Sequence, residues 1–560
     1  MEKLIYKILT SKFKSFLVIM ITILALAGSV MMFPTKIVLA KMLPGKSADT
    51  FSIYINAPVD STVKQTTKVT ECINSVLKKE KEILDIETFI GQGAPLDYAG
   101  LVKGSAFKAM KYQAEMVVNL TPKHHREEPS YMMVHRLRPV IQKLCEPVVK
   151  GTHISFIEQP SGPPTLATIV IELFGKNPKK LRTTANDIAQ ILKETKGLVD
   201  VEVMQDKIYK KFELIPDKEK VLRSGLSIEQ VNNIIYLAFK GAKVAVKNSD
   251  NQQDQIPIFV RLSKKTKIFE QKDIESIKDK LGQLKLINKK GIMIPIKEIV
   301  EIKKVDSKPA IYRKDLKTLV RITAECDMVS QVYPLLDARD KLIDELDGDF
   351  DIHKVSGIST YMFDLILKDQ YNDHDDMLLR WDGEMKLSLD TFRDLGGAFI
   401  AALVLMFLLM VVYYKSFALS GVVLIGSFLS IIGVIIGHFI TDQVTLLLNG
   451  TNFFLTATSL IGFISLMGIS ARSSLLLIDF SKSKIANGEP KEQAIANATA
   501  TRAKPILLTT IAIILGSALL ATDPIFGGLG IALIFGSMAS TAVSLFLIPV
   551  LINNTKAMLP

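Results

Sequence analysis

Arg472 lies inside the run SLIGFISLMGISARSSLLLIDF, residues 459 to 480, which is apolar enough and long enough to cross a bilayer. A guanidinium at mid-membrane is costly unless it is paired or watered, so such residues are rare and mark pathways or partners. The chemistry on offer is a fixed positive charge that needs a carboxylate. Because an arginine keeps its proton at any biological pH, protons that move at such a site must be carried by the carboxylates opposite it. The bland alternative is snorkelling: Arg472 sits roughly two turns, about 10 Å, from the end of its run, near the reach of its stem.

Carboxylates able to answer it within the chain are few. Asp479 is seven residues on, near the same helix face but about 10 Å away along the axis, and beside Lys482 and Lys484. Asp394, Asp442 and Asp523 stand at the ends of apolar segments. Other clusters read as ordinary surface or core. KHHRE at 123 to 127 and NDHDD at 372 to 376 suggest metal ligands, yet adjacent His124 and His125 would point apart on a strand, and a solvated charged turn is the simpler reading. The 20 methionines include the adjacent Met132 and Met133, which read as core filler rather than a soft-metal cluster. No GxxxxGK[ST] loop is present, which counts against an ATP-driven pump in this chain.

The elements that must position Arg472 are membrane helices. The chain has 560 residues, is 48% hydrophobic, and concentrates its apolar residues at the start and after residue 393. Six stretches reach the length of a membrane helix, about 20 residues for a core of roughly 30 Å. They run approximately over 14–33, 396–413, 417–438, 454–479, 505–522 and 526–551. The first has the basic flank TSKFKSF of a signal peptide, but no small-residue cleavage site follows it. The last carries Gly527, Gly528, Gly530, Gly536, Ser537 and Ala539, small residues that allow close helix packing.

Lys and Arg cluster at the N-terminus, in YYKS, in the loop SKSKIANGEPKEQAIANATATRAK and near the C-terminus, which puts both termini in the cytoplasm. Residues 35 to 392 then face the opposite side, where a bacterial cell has its periplasm. Cys72, Cys145 and Cys326 all fall in that region, and an odd count far apart in sequence reads as buried apolar residues rather than a disulfide framework.

Strand and helix patterns in the exported region form two consecutive β-α-β-β-α-β units. TFSIYINAP, DIETFIG, AEMVVNLTP and THISFIEQ are the strands of the first, with helices over 60–81 and SYMMVHRLRPVIQKLC. After the linker QPSGPP the order restarts with TIVIELFG, a helix over 178–195, VDVEVM, YKKFELIPD and a helix SIEQVNNIIYLAF capped by Ser227. An excursion from about 241 to 310 precedes LKTLVRITAE, a helix over 330–346 and the closing strand FDIHKVSG.

This layout resembles the C-terminal half of a resistance-nodulation-division (RND) efflux transporter permease. The resemblance is carried by VLAKMLPGKSADTFSIYINAPVDST, APLDYAGLVKG, NLTPKHHRE, PSGPPTLATIVIELFG, PDKEKVLRSGLSIEQVN, LLRWDGEMKLSLDTFRDLGGAF, YKSF, GISARSSLLLIDF and the run from RAKPILLTT to SLFLIPVL, spread along the whole chain. It implies a polytopic α-helical membrane protein with six TM helices and a periplasmic α+β region. The divisions would be a first membrane helix (1–34), porter subdomain 1 (35–160), porter subdomain 2 in two parts (161–240 and 311–392), a docking-like insertion (241–310) and a five-helix bundle (393–560).

The resemblance also implies a site. Arg472 matches the lysine that, in complete RND pumps, neutralises a pair of aspartates in the opposite half; Thr509 matches a threonine of the proton relay and Arg502 a basic residue near its cytoplasmic mouth. Arg in place of Lys keeps the charge and changes its geometry. This sequence has no acidic pair within a membrane segment, so the resemblance implies a split pump. The chain would be a secondary active transporter subunit, not an enzyme, in the bacterial inner membrane. It would export drugs or amphiphilic compounds and take an N-terminal-half subunit carrying the Asp pair as its partner. A trimer of heterodimers, a periplasmic adaptor, an outer-membrane channel and membrane lipid are the further partners implied, with no cofactor, metal or nucleic acid. The alternatives are a half-length secretion accessory protein of the same superfamily and a non-transporting receptor or scaffold. Replacing Arg472 should uncouple a pump and leave a scaffold nearly intact.

Overall fold

The computed structural model describes residues 1–45, 47–160, 162–250, 255–263, 274–355, 363–370 and 375–555. They form two compact units, residues 1–204 with 311–560, and residues 205–310.

In the first unit, strands β1 (Thr50–Asn56), β2 (Ile83–Ile90), β3 (Gln113–Leu120) and β4 (His153–Glu158) make an antiparallel sheet in the order β2-β3-β1-β4. The helices Val63–Leu77 and Ser130–Cys145 join the strands in pairs and place Val69, Ile73, Leu137 and Ile141 over Phe51, Ile53 and Ile55. Thr62 and Gln65 start the first helix with a reciprocal capping box. This is the split β-α-β pattern read from the sequence. One expectation is corrected here: Cys72 and Cys145 form a disulfide, their Cα atoms 5.7 Å apart, and Cys326 is the free cysteine. Both helices lie on one face of the sheet, which brings together two residues 73 positions apart in sequence.

A second sheet of the same unit contains β5 (Ile169–Phe174), β6 (Leu198–Met204), β13 (Tyr312–Lys314), β14 (Lys317–Cys326), β15 (Phe350–Lys354), β16 (Leu365–Asp369) and β17 (Met377–Asp382). Its order is β13-β14-β5-β17-β16-β15, with β6 also paired to β14. The helices Pro178–Lys193 and Val332–Leu346 share its core with Ile171, Leu173, Ile322 and Trp381. Phe350–Lys354 of FDIHKVSG is a strand, as its pattern indicates, but it lies at the sheet edge, and residues 356–357 of that run lie outside the described residues. The place beside β5 is taken by β17, in register from Leu378↔Phe174 to Asp382↔Val170. After β17 the chain turns into a membrane helix at Gly383, which adopts φ 83° and where a Cβ would lie 2.6 Å from the Ala167 carbonyl oxygen.

The second compact unit begins earlier than the excursion read from the sequence. It contains β7 (Lys210–Pro216) paired with β12 (Val300–Asp306), the helix Ile228–Phe239 and a ribbon of β8 (Ala242–Lys247) with β9 (Ile256–Val260). A short pair, β10 (Lys285–Ile287) with β11 (Met293–Pro295), completes it. Its core gathers Val221, Leu226, Val231, Ile277, Leu281 and Ile299. Ser227 caps the helix through a capping box with Gln230, as its position suggests.

Six helices among the described residues are long and apolar enough to cross a membrane: Lys12–Met31, Glu384–Tyr414, Phe417–Leu448, Ala457–Ala486, Lys491–Ala521 and Gly527–Asn554. They are the first to sixth spans below. The third and sixth spans are mostly buried against their neighbours, 67% and 61% of their apolar windows, whereas the second is only 6% buried. The second span therefore presents its side chains outward. Close packing of the sixth span rests on glycine, since a Cβ at Gly536 would lie 2.1 Å from the Leu466 side chain of the fourth.

Candidate coupling site in the membrane bundle

The fourth span starts at Thr456, whose hydroxyl accepts from the Ser459 amide in a capping box, and runs to Ala486. Its buried face includes Gly462, Leu466, Ser470, Ser474, Leu477 and Ser481. The opposite stripe, Ile461, Ser465, Gly468, Arg472 and Leu476, recurs every three or four residues and is exposed throughout. Nothing lies within 4 Å of where a Cβ on Gly468 would be, one turn before Arg472. Arg472 thus stands on an open strip of small and aliphatic residues.

No hydrogen bond or ion pair reaches Arg472 from the described residues. The carboxylates that could have answered it are each engaged elsewhere. Asp479 accepts from the Tyr413 hydroxyl at 3.1 Å. Asp442 accepts from the Phe453 amide at 2.7 Å and from Asn452 at 3.2 Å. Asp523 accepts from the amides of Ile525 and Phe526, both at 2.8 Å, and Asp394 pairs with Arg393 at 2.9 Å. Geometry therefore removes every internal counter-ion considered from the sequence.

The two other sequence-selected residues lie apart from Arg472, and no hydrogen bond joins any two of the three among the described residues. Thr509 is half-exposed on the fifth span and donates to the Pro505 carbonyl at 3.0 Å. Its neighbour Thr510 is buried and bonds Thr541 of the sixth span at 2.6 Å, an inter-helix link that the sequence reading missed. Arg502 lies 4.8 Å from the Phe480 ring centroid, and its Nε is buried with no acceptor among the described residues.

Above the bundle, a cleft of about 150 Å³ opens where the two sheets of the first unit meet. The linker residues Pro160, Gly162, Pro163 and Pro164 form its lip, and Lys103, Arg138, Glu158, Glu325 and Glu384 supply charge. Lys103 pairs with Glu325 at 2.5 Å, and the Thr168 hydroxyl donates to the same carboxylate. Burial works to raise the Glu325 carboxyl, but Lys103 and Thr168 outweigh it and hold the group below its usual range. Burial pushes the Glu158 carboxyl up against the pull of Arg138 and Lys41, and it also pushes the Cys326 thiol up. Arg138 locks the far side, reaching Asp327 at 2.7 Å and Asp200 at 3.3 Å.

Bundle and cleft are mechanically joined. The strap that lines the cleft floor bonds to the head of the fourth span: the Leu455 amide donates to the Leu39 carbonyl at 2.8 Å, the Lys41 amide to Leu455 at 3.0 Å and the Ala457 amide to Met42 at 3.1 Å. The helix that carries Arg472 near its middle is therefore hydrogen-bonded at its N-terminal end to the strap that lines the cleft.

Among the described residues, no three His, Cys, Asp or Glu side chains converge as a metal site. His124 and His125 lie on an exposed 3-10 turn, Met133 is in the core of the first sheet, and residues 372–374 of NDHDD lie outside the described residues.

The AcrB/AcrD/AcrF family model matches residues 2–345 and 368–554. The swarming motility protein SwrC of Bacillus subtilis (strain 168) is 23% identical over 537 residues, which cover 95% of this chain and 45% of SwrC. The multidrug export protein AcrF of Escherichia coli (strain K12) is 22% identical over 547 residues, which cover 95% of this chain and 47% of AcrF. The X-ray crystal structure of a heavy metal efflux pump matches with a TM-score of 0.73 at 17% identity, covering 98% of this chain and 51% of the pump. At that identity the likeness is one of fold. The chain spans about half the length of the curated relatives it matches.

Proposed function

The chain belongs to the AcrB/AcrD/AcrF family of RND efflux transporters, and from that premise we propose that it works as the C-terminal-half subunit of a proton-driven efflux pump. Its partner is a sister N-terminal-half subunit whose intramembrane carboxylates face Arg472. The observation that carries this reading is the exposed, unpartnered guanidinium on the open stripe of the fourth span. In the bilayer such a group requires a counter-charge, and Asp394, Asp442, Asp479 and Asp523 are each engaged elsewhere.

The partner carboxylates bind and release the proton; Arg472 stays charged and changes its contacts. When the carboxylates are ionised they hold Arg472 against the partner, and when protonated they release it. The fourth span then shifts, and its hydrogen-bonded head moves the strap at Leu39–Met42 and with it the cleft floor. Thr509 sits one turn beyond Pro505, where the missing amide loosens the helix, and turns its hydroxyl toward the relay in one of the two states. Arg502, stacked on Phe480, steadies the cytoplasmic end.

The cleft between the two sheets is the substrate path, and drugs or amphiphilic compounds are the proposed cargo. The disulfide Cys72–Cys145 supports placing residues 35–392 in an oxidising compartment such as the periplasm, with both termini in the cytoplasm of a bacterial inner membrane. Residues 205–310 serve as the docking region toward a periplasmic adaptor and an outer-membrane channel, in a trimer of paired halves. The test is proton-coupled transport by Arg472→Ala in reconstituted vesicles. A pump subunit loses coupling while still assembling; undiminished transport, or an unaffected cellular role without any transport, would refute the reading.

A further inference from the structure

His438 is fully buried in the third span and plays no part in the Arg472 site. Its Nδ1 lies 2.8 Å from the Val434 carbonyl and its Nε2 2.8 Å from the Ser459 hydroxyl. A carbonyl can only accept, so Nδ1 carries a hydrogen and, in the neutral ring, Nε2 accepts from Ser459. Ser459 continues into a row of hydroxyls: its oxygen is 3.1 Å from Thr456 Oγ1, which is 2.8 Å from Thr458 Oγ1, which donates to the Ile525 carbonyl at 3.1 Å. We propose that His438 is a second proton-binding site, held wholly within this chain, in which Ser459 turns its hydrogen from the ring to the Thr456–Thr458 row so that its oxygen accepts from the charged ring.

The two states balance hydrogen by hydrogen. In the neutral state Ser459 donates to Nε2 and accepts from the Thr456 amide, at 3.0 Å. When a proton from water reaches Nε2, the ring donates on both sides; Ser459 accepts from it, keeps the Thr456 amide bond and turns its own hydrogen to Thr456 Oγ1. Thr456 donates to Thr458, and Thr458 still donates to Ile525. Every polar group in the row keeps at least one partner in both states, and the Ser459–Thr456 oxygen contact, which holds no hydrogen while the ring is neutral, gains one when it is charged.

The surroundings present few competing charges. The sixth span carries no charged side chain over Gly527–Ala542. The first span has Lys12 and Lys14 at its opposite end, and on the fourth span Arg472 lies 13 residues beyond Ser459, about 20 Å along the helix. On the third span itself Asp442 is one turn further on, bonded to Asn452 and Phe453. In the adjoining strap and loop, Lys41 sits over the Phe454 ring at 5.5 Å, and Asp523 caps the turn before Ile525. Gly528 seals the row: a Cβ there would lie 2.4 Å from both Ser459 Oγ and Thr456 Oγ1. The site thus joins the third span, the cap of the fourth and the head of the sixth.

The inference rests on this geometry and not on the pairing of Arg472, and its test separates the two. The full chain, purified from membranes with whatever accompanies it and returned to lipid bilayers, is labelled with 15N in its seven histidines. Solid-state NMR then follows the ring nitrogens as the pH is lowered, with His438→Gln identifying the His438 signals. Should that variant fail to fold, the assignment comes from contact between Nδ1 and a 13C-labelled Val434 carbonyl. The expected result is a protonated Nδ1 and bare Nε2 at high pH, protonation of Nε2 while the protein remains folded, and a midpoint about one pH unit lower in Ser459→Ala, which loses the acceptor of the charged ring. A bare Nε2 down to the pH at which the fold is lost, or a midpoint indifferent to Ser459→Ala, would overturn the proposal.

Discussion

Two arginines in this molecule live in opposite surroundings. Arg138, beside the first sheet, is 4% exposed and meets Asp327 and Asp200, with the Phe156 ring 5.5 Å from its guanidinium. Arg472, in a membrane span, is exposed and has no hydrogen-bonding or ionic partner among the described residues. The first arginine is satisfied where water is scarce inside the protein. The second is left open where the lipid outside offers no partner at all. The same chain builds one complete charge cluster around Arg138 and leaves Arg472 without an ionic partner among the described residues, and the proposed split pump rests on that contrast.

The comparison breaks most sharply by removing each arginine in turn. Arg138→Ala strands two carboxylates in a buried interface and is expected to destabilise the first unit by about 3–5 kcal/mol, read as an early unfolding transition by calorimetry. Arg472→Ala is expected to leave the stability of the isolated chain within about 0.5 kcal/mol, as for a surface change, while lowering proton-coupled transport at least about 100-fold, the loss of a charge pair made across a buried contact. A comparable stability loss for both would mean that Arg472 has a partner inside the chain.

Two smaller effects sharpen the contrast. Cys72→Ser, or reduction, should cost about 2–4 kcal/mol of stability in the first sheet unit and leave the membrane bundle unaltered, seen as a shift in one transition only. Lys103→Met should weaken the clamp beside the cleft by about 1 kcal/mol and steepen hydrogen exchange at Thr168. The same clamp has a predictable pH dependence. The folded Glu325 carboxyl titrates below its unfolded value, so its contribution is present above the ordinary carboxylate range and is lost as pH falls through the folded value. Protection of the Thr168 amide, taken relative to its intrinsic exchange rate, should therefore fall on acidification in the parent chain, and fall at a higher pH in Lys103→Met, where burial raises the carboxyl unopposed by Lys103.

Local patterns carried most of the architecture. Period-two runs such as TFSIYINAP and the helix capped at Ser227 lie where their residues place them, and the six spans follow from length and hydropathy. What escaped was pairing at a distance. Nothing near Cys72 signals Cys145, because only the stacking of two helices on one sheet brings them together. β7 reads as a strand of the second sheet, yet its partner is β12, and nothing local distinguishes the two; this moves the start of the second compact unit to residue 205. FDIHKVSG was legible as a strand, but not its displacement to the edge by the later β17. In the bundle, Arg472 was visible because charge in an apolar run is conspicuous. His438 and the Thr510–Thr541 bond were not, since a neutral ring and hydroxyls disturb hydropathy little and gain meaning only from neighbours in other helices.

The most direct test of the account is to tag this chain, extract it gently from native membranes and identify by mass spectrometry every protein that accompanies it. The account predicts a second six-helix chain of the same family with an aspartate pair inside a membrane helix, its recovery reduced in Arg472→Glu, where like charges would face each other. Recovery of this chain alone, or with a partner lacking any intramembrane carboxylate, would contradict it.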